Sequence, residues 1–185
     1  MRFADYSYRF SQSEAADPEG MEGLTLAVRE RLHPLIVGAV RDHHVAEDVL
    51  QDTLVVLIEQ AHLLRRPDRF WPWIYRIAWS KVQDHFRDRR RARRIAKDAE
   101  HEPEHRETCV GDLLDTMVHR ETVEHLTAAF RQLNPRCRVV LYLRFYEQMP
   151  YTQIASLMHS TPGRVRVQFH RAKRLLRDSL LSSCA

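Results

Sequence analysis

The sequence predicts an all-α protein: two small helical domains joined by a flexible acidic linker, the second ending in a helix-turn-helix. Three observations carry that expectation. Apolar residues recur at three- and four-residue spacing along most of the 185 residues, with only five glycines and few alternating runs. The charge inverts once, from a basic tract at 86–97 to an acidic one at 98–107. Last, Tyr151–Leu176 reads as two helices around a capped turn, the second of them strongly basic.

The elements follow in order. Residues 1–20 hold turn formers and no sustained period, which predicts a loose arm. A first domain is expected over 21–97. It opens with a helix at Met21–Val40, where Leu24, Val28, Leu32, Leu35 and Ala39 are in phase and Pro34 is positioned to bend or divide it. A second helix, Val45–Ala61, carries Val45, Val49, Val56 and Ala61 on one face and Glu47, Asp48, Gln51 and Asp52 on the other. That acidic group reads either as a well-capped surface helix, since helix N-termini favour negative charge, or as a docking face for a partner.

After the polar link Arg65–Arg69 comes FWPWIYRIAWSKVQDHFRDRRRARR. All three tryptophans (Trp71, Trp73, Trp79) fall in it, and Phe86–Lys97 then has seven Arg/Lys against one Asp. At least one Trp is expected in the core. Aromatic rings interleaved with cations also suit unstacked bases and phosphates, by stacking and by charge.

Asp98–Glu107 has five acidic residues and one Arg, which places a solvated linker at 98–111 and a second domain at 112–185. Helices are expected at Leu113–Leu133 and from Asn134-Pro135 onward, where Arg136–Glu147 presents Val139, Val140, Leu143 and Phe145/Tyr146. In the capped pair, Ile154, Ala155 and Met158 form one buried face and Val165, Phe169, Ala172 and Leu176 another. Thr161 is a good N-cap and Pro162 fits the first helical position. Between Thr161 and Arg177 there are six Arg/Lys and no Asp or Glu. A short helix, a tight turn and a basic second helix is the helix-turn-helix pattern, whose second helix enters the major groove. Asp178–Ala185 is expected to fray.

Net charge is +4, and its concentration in two tracts points to a polyanionic partner. No apolar run reaches the roughly 18 residues of a membrane span, and the N-terminal segment lacks a signal-peptide core. Three scattered cysteines (Cys109, Cys137, Cys184) fit reduced thiols and a cytoplasmic location better than disulfides or a zinc site.

Two basic helical domains around an acidic tether resemble the extracytoplasmic-function (ECF) sigma factors of bacterial RNA polymerase. AEDVLQDTL (46–54) is similar to that family's region 2 docking helix, and WIYRIAWSKVQDHFR (73–87) to its promoter-melting helix. LNPRCRVVLYLRFYEQMPYTQIASLM followed by TPGRVRVQFHRAKRLL is similar to region 4. The resemblance implies core RNA polymerase, through its β′ clamp and β flap, and promoter DNA as partners, with an anti-sigma protein as a further possibility. Glu47, Asp48, Gln51 and Asp52 would meet the clamp. Arg65, Arg66, Asp68 and Phe70 would capture a base flipped from the −10 element. Trp73, Arg76, Trp79, Ser80, Gln83 and Arg87 would lie along the separating strands. Base extrusion costs a few kcal/mol, which a shaped pocket and stacking can offset. Arg166, Val167, His170 and Arg171 would face the −35 major groove, with Arg164, Lys173 and Arg174 nearer phosphates. Ser80, Gln153 and Val167 depart from the family's usual residues, which bears on promoter sequence rather than on role.

A stand-alone helix-turn-helix regulator is the nearest rival, but it leaves the Trp/Arg helix and the acidic face unexplained. For an enzyme, His43 and His44 with Glu47 and Asp48, or His101 with His105, could imitate metal ligands. The first set lies on the expected docking face and the second in the linker. His119 and His125 are six apart and share no helix face. No P-loop, G-x-S-x-G or H-E-x-x-H occurs. The sequence therefore implies no catalytic residue, no metal and no cofactor.

Overall fold

Proline suits the first turn of a helix, because its missing N–H would have had no intrahelical acceptor there. The first helix, α1, begins on Pro18 and runs to Val40, so part of the expected arm is helical. The computed structural model describes residues 18–61, 66, 69–96 and 126–183, and every element within them is helical. The expected linker, Arg65, Asp68, Cys109, Cys184, His101, His105, His119 and His125 lie outside the described residues. The chain divides into two compact units, Met1–Glu107 and Thr108–Ala185.

In the first unit α1 is continuous through Pro34, which lies on its exposed side, so the proline neither divides the helix nor disturbs the packed face. Leu24, Val28, Leu32, Leu35, Ile36 and Ala39 are buried, the predicted stripe plus its flank. Arg41 takes the left-handed conformation (φ 63°) that ends α1. Asp42 then opens α2 (His43–Gln60), its carboxylate accepting from the Val45 N–H at 3.1 Å. That cap starts the helix two residues before the expected Val45. The buried face of α2 is Ala46, Val49, Leu50, Thr53, Leu54 and Leu57, while Val45 and Val56 are only half-buried. Thr53 satisfies its buried hydroxyl by donating to the Val49 carbonyl at 2.7 Å.

The third helix, α3 (Phe70–Ala96), closes a three-helix core in which each helix packs on the other two. It contributes Phe70, Ile74, Tyr75, Ala78, Trp79 and Val82. Full burial of side chains of this size stabilises by about 1.5–3 kcal/mol each. Beyond Val82 none of its described side chains is buried, and residues 87–95 are exposed throughout.

The described part of the second unit starts in a helical segment at 126–132 (α4). Asn134 caps α5 (Pro135–Leu141), accepting from the Cys137 N–H at 2.8 Å. The helix then widens into a π segment, Tyr142–Tyr146, closed by the Glu147 N–H donating to the Tyr142 carbonyl at 3.2 Å. This wider turn corrects the sequence reading. Val139, Val140 and Leu143 stay buried, but Phe145 and Tyr146 come out to 75% and 72% exposure.

After Gln148, again left-handed (φ 54°), α6 spans Tyr151–Leu157 and buries Ile154, Ala155 and Leu157. Its end is a Schellman turn. His159 is left-handed (φ 49°), and the Ser160 N–H donates to the Ala155 carbonyl at 2.8 Å. Thr161 then caps α7 (Pro162–Ser183), its hydroxyl accepting from the Arg164 N–H at 3.4 Å. With no Gly or Pro to stop it, α7 runs through most of the segment expected to fray. Leu133, Cys137 and Ala172 form a buried cluster with Phe130, Leu141, Leu175 and Leu176 packed against it. Burial pushes the Cys137 thiol pKa up, opposed by the Asn134 bond and by Arg171 and Arg138.

Candidate nucleic-acid interface

The roll of α7 is fixed by its two fully buried residues, Val165 and Ala172. A helix anchored there must turn its remaining faces to solvent, and these carry the charge. Arg164, Arg166, Val167, His170, Arg171, Lys173 and Arg174 are all exposed, Val167 at 50%. The capped Schellman turn sets the angle at which α7 leaves α6. The result is a helix-turn-helix whose second helix presents a positive surface with one apolar residue in it. Such a surface combines phosphate attraction, guanidinium forks for guanine edges and a methyl-bearing contact for thymine.

On α3 the spacing separates two populations. Trp73, Arg76, Ser80, Gln83 and Arg87 recur at i, i+3, i+7, i+10 and i+14, a single face, and each is exposed or half-buried. Phe70 and Trp79 do not share it. Both are 2% exposed, so they are core residues in this structure and not surface groups for a DNA strand. Phe70 supports its neighbours instead, with ring centroids 5.2 Å from Trp71 and 6.1 Å from Trp73. Arg31 of α1 lies over the Trp71 ring at 4.3 Å, so this tryptophan's cation partner comes from within the unit. Of the preceding loop, Arg66 is exposed, and its carbonyl accepts from the Arg69 N–H at 3.0 Å.

The acidic face of α2 is also more divided than its sequence. Asp48, Gln51 and Asp52 are exposed, and Asp52 stands 3.5 Å from Lys81. Glu47 instead turns toward α1, 2.6 Å from Arg29 and 3.2 Å from His33 Nε2. It pairs α2 with α1, a role that neither reading of the acidic face included. Sequence reasoning missed Val55 and Ile58, exposed at 52% and 55% on the face of Gln51 and Asp52. The available signal was the run Leu54–Ile58, since five consecutive apolar residues cannot all face one core. Among the described residues no group of three or more His, Cys, Asp or Glu is placed to hold a metal ion.

Residues 26–92 match sigma-70 region 2, and residues 124–176 match sigma-70 region 4. The chain is 27% identical to the RNA polymerase sigma-H factor of Pseudomonas aeruginosa over 172 residues, 90% of this chain and 89% of that one. It is 21% identical to the ECF RNA polymerase sigma factor SigW of Bacillus subtilis over 182 residues, 93% of this chain and 95% of that one. The chain belongs to the sigma-70 family, carrying its regions 2 and 4. As a sigma factor it binds core RNA polymerase and promoter DNA and directs promoter recognition and initiation, which sets the stand-alone regulator aside. The family acts by binding DNA at initiation. Solved structures share the fold. The sigma factor RpoE in complex with the anti-sigma factor NepR from Bartonella quintana aligns at TM-score 0.66, 19% identity, 86% of this chain and 95% of that one. CnrH in complex with the cytosolic domain of CnrY aligns at TM-score 0.59, 19% identity and 98% of each chain. Among the described residues no helix is long and apolar enough to cross a membrane.

Proposed function

We propose that the first unit docks on the polymerase and opens the −10 element while the second reads the −35 element. The observation that carries this reading is the one-signed, fully exposed face of α7, fixed in direction by Val165 and Ala172. Arg166, Val167, His170 and Arg171 take the base edges, and Arg164, Lys173 and Arg174 the flanking phosphates. A bidentate arginine–guanine contact there discriminates by about 1–3 kcal/mol.

In the first unit the stripe Trp73, Arg76, Ser80, Gln83 and Arg87 follows the separating strands, with Arg65, Arg66 and Asp68 at the flipped base. Phe70 and Trp79 support that helix from beneath. Asp48, Gln51 and Asp52, extended by Val55 and Ile58, form the clamp-facing surface, an apolar strip with an acidic border. The protein performs no covalent chemistry, acts in the cytoplasm, and is open to control by an anti-sigma protein.

The test is reconstitution. The full chain is added to core polymerase and assayed for initiation on promoters that core alone does not use. Specific initiation supports the reading. Duplex binding without initiation would return the simple regulator to first place.

A further inference from the structure

One aromatic side chain links the two halves of the helix-turn-helix to the π segment before them. Tyr151, the first residue of α6, is half-buried, and two guanidinium groups lie over its ring. Arg144 of the π segment is 5.0 Å from the ring centroid, and Arg166 of α7 is 5.6 Å from it. Phe169 of α7 meets the same ring edge-on, with centroids 5.9 Å apart and planes at 66°. Arg144 is itself tied down, Nη1 donating to the Met149 carbonyl at 3.1 Å. The wide turn of the π segment and the left-handed Gln148 bring Arg144 back over a ring seven residues further on.

We infer that Tyr151 is a positioning residue that pre-orders Arg166 for base reading, an inference that rests on α7 being the −35 reading helix. Arginine carries high rotamer entropy, and ordering such a side chain at an interface is one of the main charges against affinity. A ring that attracts the guanidinium narrows its conformations before DNA arrives. The contact also leaves the reading chemistry intact. An aromatic ring engages the face of a guanidinium, whereas its N–H donors lie in the plane, where a guanine edge meets them. Phe169 holds the ring from α7 itself, so ring and arginine keep register as the helix docks.

The test uses the full chain with core polymerase and a promoter library with a fixed −10 and a randomised −35 element. Base preference is read at each −35 position for wild type, Tyr151→Leu, Tyr151→Phe, Arg166→Ala and the Tyr151→Leu/Arg166→Ala double variant. Arg166→Ala should flatten preference at one position by about five- to a hundredfold. Tyr151→Leu should flatten the same position by about two- to fivefold, the scale of an exposed cation–π contact, with other positions unchanged. Tyr151→Phe should restore it, and Tyr151→Leu should add nothing once Arg166 is gone.

If Arg166→Ala leaves every position intact, the reading of α7 fails and the inference with it. If Arg166→Ala flattens one position but Tyr151→Leu does not, or weakens all positions equally, only the inference is overturned. Tyr151→Phe, which keeps the ring and the fold, guards against misfolding. A Phe variant as deficient as Leu would also overturn the role, because the hydroxyl and not the ring face would then matter.

Discussion

Replacing Trp79 separates its packing role from a DNA-contacting one. The side chain is 2% exposed, and its indole Nε1–H has no acceptor among the described residues. Trp79→Ala removes a large buried ring and should cost about 3–5 kcal/mol. Trp79→Phe keeps most of the ring and deletes the donor. It should lose about 1–2 kcal/mol of packing and regain about 1–3 kcal/mol from the unsatisfied N–H, for a net change between about 1 kcal/mol lost and about 2 kcal/mol gained.

The assay is built into the molecule. All three tryptophans lie in α3, so their emission reports the first unit even in the full chain. With a urea slope of about 2 kcal/mol per molar, Trp79→Ala should lower the emission midpoint by about 2 M, and Trp79→Phe should lower it by no more than about 0.5 M or raise it by up to about 1 M. A Phe variant as damaged as Ala would mean that the indole N–H is hydrogen-bonded in the folded protein. An Ala variant of normal stability that fails to open promoters would put Trp79 back among the DNA contacts.

Three further outcomes follow from the same geometry. Asp52→Arg should lose at most about 1 kcal/mol of stability, since the Lys81 pair is solvent-exposed, yet weaken binding to core polymerase measurably in a pull-down or titration. Unchanged core affinity would remove Asp52 from the docking face. His159→Gly should stabilise the helix-turn-helix by up to about 1 kcal/mol by relieving a left-handed backbone, seen as slower amide exchange in α6 and α7; faster exchange would show that the imidazole itself matters. The His85 imidazole pKa is lowered by burial and by Arg89, against Asp42, Asp88 and Asp48. Between the folded and unfolded pKa values the unfolded chain holds more protons. The first unit should therefore lose stability as pH falls below about 6.5, and His85→Gln should reduce that slope in fluorescence-monitored unfolding.

The helices and their caps were readable because local chemistry decides them. Thr161-Pro162 and Asn134-Pro135 announce their own starts, and the stripes of α1 and α7 repeat at one period. What escaped depended on the third dimension. Glu47 is acidic and at the right spacing, but Arg29 and His33, eighteen and fourteen residues earlier, decide where it turns. Trp73 and Trp79 look alike in sequence, and only the crossing of α1 and α2 over α3 shows which one is covered. Phe145 and Tyr146 were expected to continue an apolar face. A change in hydrogen-bond spacing, which no composition signals, turned them out.

The exposed end of α3 has a consequence of its own. From Arg87 to Arg94 the helix carries like charges at i, i+3 and i+4 with no core beneath them. Intrahelical repulsion there weakens as counterions accumulate, and any phosphate binding by the same groups would weaken with it. Ionic strength thus pulls the free and bound forms in opposite directions: added salt firms the final turns of the lone protein while loosening its hold on a polyanion. The helix already runs to Ala96 in the lone protein, so a polyanion bound there would steady these turns rather than form them.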